Sequence, residues 1–147
     1  MKICLIGSSG GHLTQLLELD KIYKTIESFF ITFSFNSDSL IRKQKINEKF
    51  YYVTNPHRNI RAFLQCFYQS LRIFVREKPD IILTTGAGVA LPMILISKFF
   101  RRKIIFIESF SRITSPSFFG KLVNPLANLT IVQWKHLLDY YKKATFG

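Results

Sequence analysis

The chain has 147 residues, enough for one sheet-centred core and too few for two. Its formal net charge of +12 implies an anionic partner: a nucleic acid, an acidic membrane surface or a phosphorylated substrate. Hydrophobic residues make up 48% and aromatic residues 15%, more apolar material than the interior of such a domain needs, and Phe and Ile set among cations favour a lipid surface over a nucleic acid.

Strands are expected at Lys2 to Ile6, Phe29 to Phe35, Phe50 to Thr54, Ile81 to Thr84, Lys103 to Ile107 and Leu129 to Val132. Helices are expected between them at Leu13 to Tyr23, Ser39 to Lys45, Ile60 to Glu77, Leu91 to Phe100, Pro116 to Ala127 and Lys135 to Lys142. In the third helix Ile60, Phe63, Leu64, Phe67, Leu71, Phe74 and Val75 recur at i, i+3, i+4 spacing and form one apolar face; Asn59 is its N-cap and Pro79 stops it. The runs at 81–83 and 104–107 are apolar on both faces, as strands covered on both sides must be. Short apolar strands alternating with helices specify an α/β domain built on a doubly wound open parallel sheet, spanning 1–147 as one unit. The longest apolar stretch, Val89 to Ile96 extended by Phe99 and Phe100, is well under the roughly 20 residues that span a bilayer, so any membrane contact is peripheral. Only Cys4 and Cys66 are present, which provides no disulfide framework or metal-ligand spacing; the compartment reads as reducing and no metal or cofactor is expected.

Strand one ends in Gly7-Ser8-Ser9-Gly10-Gly11-His12 and runs straight into a helix. The backbone N–H groups of such a loop suit an anion, which makes Ser8, Ser9, Gly10 and Gly11 candidate phosphate contacts; a tight strand-to-helix turn explains the glycines equally well. A second loop, Thr84-Thr85-Gly86-Ala87-Gly88, follows strand four, which in the usual order of such sheets lies beside strand one at the point where the winding reverses. Thr85, Gly86 and Gly88 would then face the same crevice. Strand five ends in Glu108-Ser109-Phe110-Ser111-Arg112, where Glu108 suits a sugar hydroxyl and Ser109 and Arg112 a phosphate, or else Glu108 and Arg112 form a local ion pair. His12 is the histidine in a glycine loop; His57 and His136 read as structural or solvated. Held neutral near pH 7, His12 is either a general base or a hydrogen-bonding contact.

A separate feature is Lys98-Phe99-Phe100-Arg101-Arg102-Lys103, with two aromatics among four cations. Adjacent helical positions point about 100° apart, so only one of Phe99 and Phe100 can reach the sheet. The expected membrane face is Phe99, Phe100, Arg101 and Arg102 together with Tyr68, Arg72, Ile73 and Arg76 of the third helix.

Five blocks carry a resemblance: Gly-Ser-Ser-Gly-Gly-His-Leu-Thr at 7–14, Thr-Gly-Ala-Gly-Val at 85–89, Phe-Ile-Glu-Ser-Phe-Ser-Arg at 106–112, Gly-Lys-Leu-Val-Asn-Pro-Leu-Ala at 120–127 and Val-Gln-Trp at 132–134. With these the chain resembles the membrane-associated subunit family of the split N-acetylglucosamine transferases of dolichol-pyrophosphate oligosaccharide synthesis and their bacterial capsule and exopolysaccharide relatives. It is similar also to the acceptor domain of the peptidoglycan lipid II synthase. The resemblance implies the N-terminal half of a GT-B glycosyltransferase of inverting, metal-independent type, with His12 and Glu108 as catalytic candidates. It also implies a donor-binding partner chain that brings a UDP-sugar, a polyprenyl-pyrophosphate-linked sugar as acceptor, and peripheral attachment to the cytoplasmic face of a membrane. Eukaryotic members add an N-terminal membrane helix that is not found here, so contact through surface patches is expected; members also tend to run on beyond the position of Gly147 in a short tail implicated in docking, so either the tail is shorter here or the sequence is truncated. A non-catalytic membrane scaffold that activates the partner is the alternative. A basic nucleic-acid module comes last, because the aromatics sit at core spacing.

Overall fold

The computed structural model describes residues 1–33, 48–56, 59–141 and 143–147. The expected helix Ser39 to Lys45, the end of the expected strand Phe29 to Phe35 and His57 lie outside these residues, as does Lys142.

In chain order the elements are β1 (Lys2–Ile6), α1 (Gly11–Leu17), α2 (Asp20–Tyr23), β2 (Glu27–Thr32), β3 (Lys49–Tyr52), α3 (Ile60–Glu77) and β4 (Ile81–Thr84). A 3-10 turn at Gly88–Ala90 then runs into α4 (Leu91–Phe99), followed by β5 (Lys103–Ile107), α5 (Phe118–Val123), β6 (Leu129–Val132), a 3-10 segment at Lys135–Asp139 and β7 (Ala144–Phe146). All seven strands are parallel, in the order β3-β2-β1-β4-β5-β6-β7. The winding reverses between β1 and β4, where Ile6 pairs with Thr84, so the two glycine loops leave the sheet side by side.

Alternating side chains divide the core in two. Cys4, Ile6, Phe29, Ile82, Ile104 and Phe106 face α3, α4 and α5, while Ile3, Leu5, Phe30 and Leu83 face α1 and α2. Strands covered on both faces have no polar side, which is why their sequences read as unbroken apolar runs.

Several expectations are corrected. The helix expected over Leu13 to Tyr23 is two helices, because Leu19 leaves the helical region (φ −85°, ψ 33°) and its side chain packs on the sheet. The helix expected from Pro116 to Ala127 is only Phe118–Val123: the Ser117 side chain caps it by accepting from Gly120 N–H, and Pro125 cannot continue it. The last expected helix is a 3-10 segment, and the three-residue β7 is too short for a periodicity to reveal.

Helix α3 has the expected bounds, with the Asn59 side chain accepting from Arg61 N–H, but only part of the expected inner face: Phe74 is buried and Phe67 and Leu71 pack against the core, while Ile60, Leu64 and Val75 do not. Its buried residues are Cys66, Ser70, Ile73, Phe74 and Glu77. Ile60 and Leu64 are 71% and 60% exposed, and Tyr68 and Val75 are exposed with them. At about 100° per residue, this stripe lies roughly a third of a turn from the buried one. The helix therefore carries an apolar face that its own core does not use.

At the N-terminal ends of the strands Glu77 is buried and accepts from Lys2, Lys49 and Tyr51. Burial works to raise its pKa, but the hydrogen bonds from Lys49, Tyr51 and Lys2 outweigh it and pull the value from 4.5 to about 2. Asp80 accepts from the Lys2 backbone N–H and from Arg102.

Candidate functional site

At the opposite end of the sheet the loops after β1, β4 and β5 converge. The Thr85 hydroxyl donates to the His12 carbonyl at 3.0 Å, tying the second glycine loop to the first turn of α1. Gly86 sits at φ 120°, and a Cβ there would meet the His12 ring at 3.2 Å, so only glycine allows the loop to lie against the imidazole. Ala87 follows at φ 79°, ψ 151°, a conformation otherwise reserved for glycine and one that stores strain at this loop.

These loops enclose a crevice of about 410 Å³, lined by His12, Thr85, Gly86 and Gly88 on one wall and by Ser109, Ser111, Arg112 and Ser117 on the other, with Leu91, Phe118 and Leu122 at its apolar end. His12 Nδ1 is buried, with the Thr85 backbone as its polar neighbour. The His12 side chain lines the crevice. Burial lowers the His12 pKa below 6.5, and Arg112 adds to this against the opposing pull of Thr85 and Glu108. The ring is therefore mainly neutral at pH 7.

Glu108 is only 1% exposed and has no contact with the crevice. Its Oε1 accepts from Ser109 N–H, and its Oε2 accepts from Ser117 N–H, Ser117 Oγ and the Tyr141 hydroxyl. Gly120 makes room for this knot, since a Cβ there would overlap the Tyr141 hydroxyl and crowd Glu108 Oε2. Burial, and then the bond to Glu108, push the Tyr141 hydroxyl well above its ordinary pKa, so it remains a donor. In this geometry Glu108 pins the 109–117 loop from behind the crevice wall, and among the described residues no cation bonds to it, so the local ion pair with Arg112 does not form.

Of the phosphate contacts expected from sequence, Thr85, Gly86, Gly88, Ser109 and Arg112 line the crevice beside His12, and Ser8, Ser9, Gly10 and Gly11 do not. Ser111, Ser117, Leu91, Phe118 and Leu122 were missed. Ser117 had a signal, a serine three residues before a glycine in a helix-opening segment, whereas Tyr141 had none because its partner is 33 residues away. Among the described residues no group of three or more His, Cys, Asp or Glu side chains could hold a metal ion.

The expected membrane face changes too. Ile73 is buried in the core and is withdrawn, while Tyr68, Arg72, Arg76, Phe99 and Arg101 are exposed. Phe100 reaches back to stack on Phe74 at 5.0 Å while Phe99 stands out at 81% exposure, the division that their 100° separation requires. Arg102 is half-buried and bonded to Asp80. No helix among the described residues is long and apolar enough to cross a membrane.

Residues 3–147 match the family described as Oligosaccharide biosynthesis protein Alg14 like. The UDP-N-acetylglucosamine transferase subunit ALG14 of Mus musculus is 26% identical over 176 residues, covering 99% of this chain and 81% of that protein. The subunit of the same name from Debaryomyces hansenii is 25% identical, covering 98% of this chain and 74% of its own length. A Prochlorococcus marinus protein named UDP-N-acetylglucosamine--N-acetylmuramyl-(pentapeptide) pyrophosphoryl-undecaprenol N-acetylglucosamine transferase is 26% identical over 141 residues, and this chain covers 38% of it. In structure, Acinetobacter baumannii MurG shares the fold at a TM-score of 0.81 and 14% identity, with 99% of this chain spanning 45% of that one.

Proposed function

The chain belongs to the Alg14-like family of oligosaccharide biosynthesis proteins, and on that premise we propose that it is the acceptor-binding, membrane-associated subunit of a two-subunit inverting glycosyltransferase. The partner chain holds a UDP-sugar and this chain holds a polyprenyl-pyrophosphate-linked sugar, consistent with the names carried by its relatives. Acceptor pyrophosphate lies against the Gly86-to-Gly88 loop and Arg112, and the sugar hydroxyl lies at His12. His12 Nε2 takes the hydroxyl proton as the oxygen bonds to the anomeric carbon from the face opposite UDP. The bond between that carbon and the UDP oxygen breaks with its electron pair leaving on UDP, which inverts the centre.

The observation that carries this reading is the mainly neutral His12 ring, buried at Nδ1, in a crevice that also holds an arginine and a strained glycine-rich loop. A site completed by a second chain also fits a fold that spans less than half of its structural neighbour. The membrane part of the reading is supported by the unused apolar stripe of α3 and by charge. Between Asn59 and Leu138 the carboxylates are Glu77, Asp80 and Glu108; two are buried and Asp80 is paired with Arg102, leaving the α3–α5 face apolar and cationic. Each cation near an anionic surface contributes about 1 kcal/mol. Two free, buried cysteines fit the cytoplasmic side of that membrane.

The test is transfer of radiolabelled sugar from a UDP-sugar to a polyprenyl-pyrophosphate-linked sugar. The pair should be active, the purified chain alone inactive, and the pair with His12→Ala slower by about 100-fold or more in the chemical step. Robust transfer by the isolated chain would sink the split-enzyme reading. A His12→Ala pair that keeps kcat within a few-fold and raises only acceptor KM would reduce His12 to a phosphate contact.

A further inference from the structure

A second cavity, of about 790 Å³, lies beside the crevice and is lined by Asn55, Pro56, Asn59, Ile60, Phe63, Gly88 and Leu91. Both cavities fall within the roughly 300–1,000 Å³ of small-molecule sites. They share Gly88 and Leu91, so they adjoin, the second as a trough beside the first. Gly88 is its saddle: a Cβ there would meet only Pro56 Cγ, at 3.5 Å, and glycine leaves the passage open. Beyond the saddle the walls are mainly apolar, with Ile60 and Phe63 of α3 facing Leu91 of α4. One turn further along each helix, Leu64 and Leu95 are exposed and extend the apolar path onto the outer face.

We infer that this trough is the subsite for the first isoprene units of the lipid carrier. The inference rests on the acceptor class proposed above. Such an acceptor is linear, running from sugar through pyrophosphate to isoprenoid. With its pyrophosphate on the Gly86-to-Gly88 loop and its sugar hydroxyl at His12, the chain must leave away from His12. The second cavity meets the crevice at Gly88 and Leu91 and does not have His12 in its walls, so it lies on the side away from the sugar hydroxyl. Its exit leads to the apolar α3 stripe, Ile60 and Leu64, on a face where the described carboxylates between Asn59 and Leu138 are buried or, for Asp80, paired with Arg102. The rival exit runs past Phe118 and Leu122 of α5, which are exposed at the other side of the crevice.

The experiment uses the reconstituted pair in detergent solution, so that vesicle binding does not enter the reading. Two acceptors share one sugar pyrophosphate; one carries a three-isoprene chain and the other a butyl chain. The native pair should prefer the isoprenoid by about tenfold or more in KM, the order expected for burying several apolar carbons. Ile60→Asn, which alters an exposed side chain, and Ile60→Asn with Phe63→Ser should bring the ratio below about three while the butyl acceptor keeps its KM. An unchanged ratio in both variants overturns the trough, as does a ratio that collapses in Leu122→Asn instead. Failure of the native pair on both acceptors refutes the acceptor class itself, a result distinct from failure of the trough alone.

Discussion

Removing the Tyr141 hydroxyl probes whether Glu108 is a positioning residue. In the native chain a buried carboxylate is satisfied by four donors and no cation, and one of the donors comes from the C-terminal segment. Hydrogen bonds to a charged acceptor are worth about 1.5–3 kcal/mol each. Tyr141→Phe leaves three donors in place, so the expected loss is about 2 kcal/mol. For a chain of this length that corresponds to roughly 4–8 °C in Tm. Glu108→Gln keeps an oxygen for the three donors on the Oε2 side but turns its NH₂ towards Ser109 N–H, donor against donor, and costs about 2–3 kcal/mol. Both changes act on one buried group, so the double variant should lose clearly less than the sum. Urea denaturation of the four proteins of this cycle at pH 7.5 reads all three quantities. A Tyr141→Phe shift under about 0.5 kcal/mol, or full additivity, refutes the reasoning.

Four further outcomes follow from the geometry. Ala87→Gly should stabilise the chain by roughly 1 kcal/mol, the relief of a glycine-only conformation minus the added freedom of the unfolded chain; destabilisation would mean that the loop is unstrained. The Glu77 pKa is depressed on folding, so its stabilising effect is complete above pH 4.5 and is lost as pH falls towards about 2; acid titration of Glu77→Gln should lack that component of the loss. In the active pair the acid limb of kcat/KM should have its midpoint below 6.5, because burial lowers His12, and a midpoint above 7 contradicts this. Leu64→Glu with Phe99→Glu should abolish sedimentation with anionic vesicles while leaving partner binding intact; full co-sedimentation at physiological salt removes the α3–α4 face from the membrane reading.

Most strands were legible from the chain alone because each is a local pattern. Each parallel strand is an apolar run bounded by a turn, and Ile81–Thr84 and Lys103–Ile107 fall on the expected residues. The bounds of α3 follow in the same way from Asn59 and Pro79, and the neighbouring of β1 and β4, which sets His12 beside the β4 glycine loop, follows from the reversal rule for open sheets. What periodicity could not assign was which apolar face of α3 the core takes. Hydrophobicity reports the wish to leave water and does not name the partner, so a stripe waiting for lipid reads the same as one packed on a sheet. Glu108 shows the complementary limit. Its place at the end of β5 was evident, but its role depends on Tyr141, 33 residues away, and on Gly120 leaving room between them. Only the folded chain brings those three together, because whether a carboxylate meets substrate or is spent inside the protein depends on which donors surround it, and those donors are neighbours in space that sequence spacing does not encode.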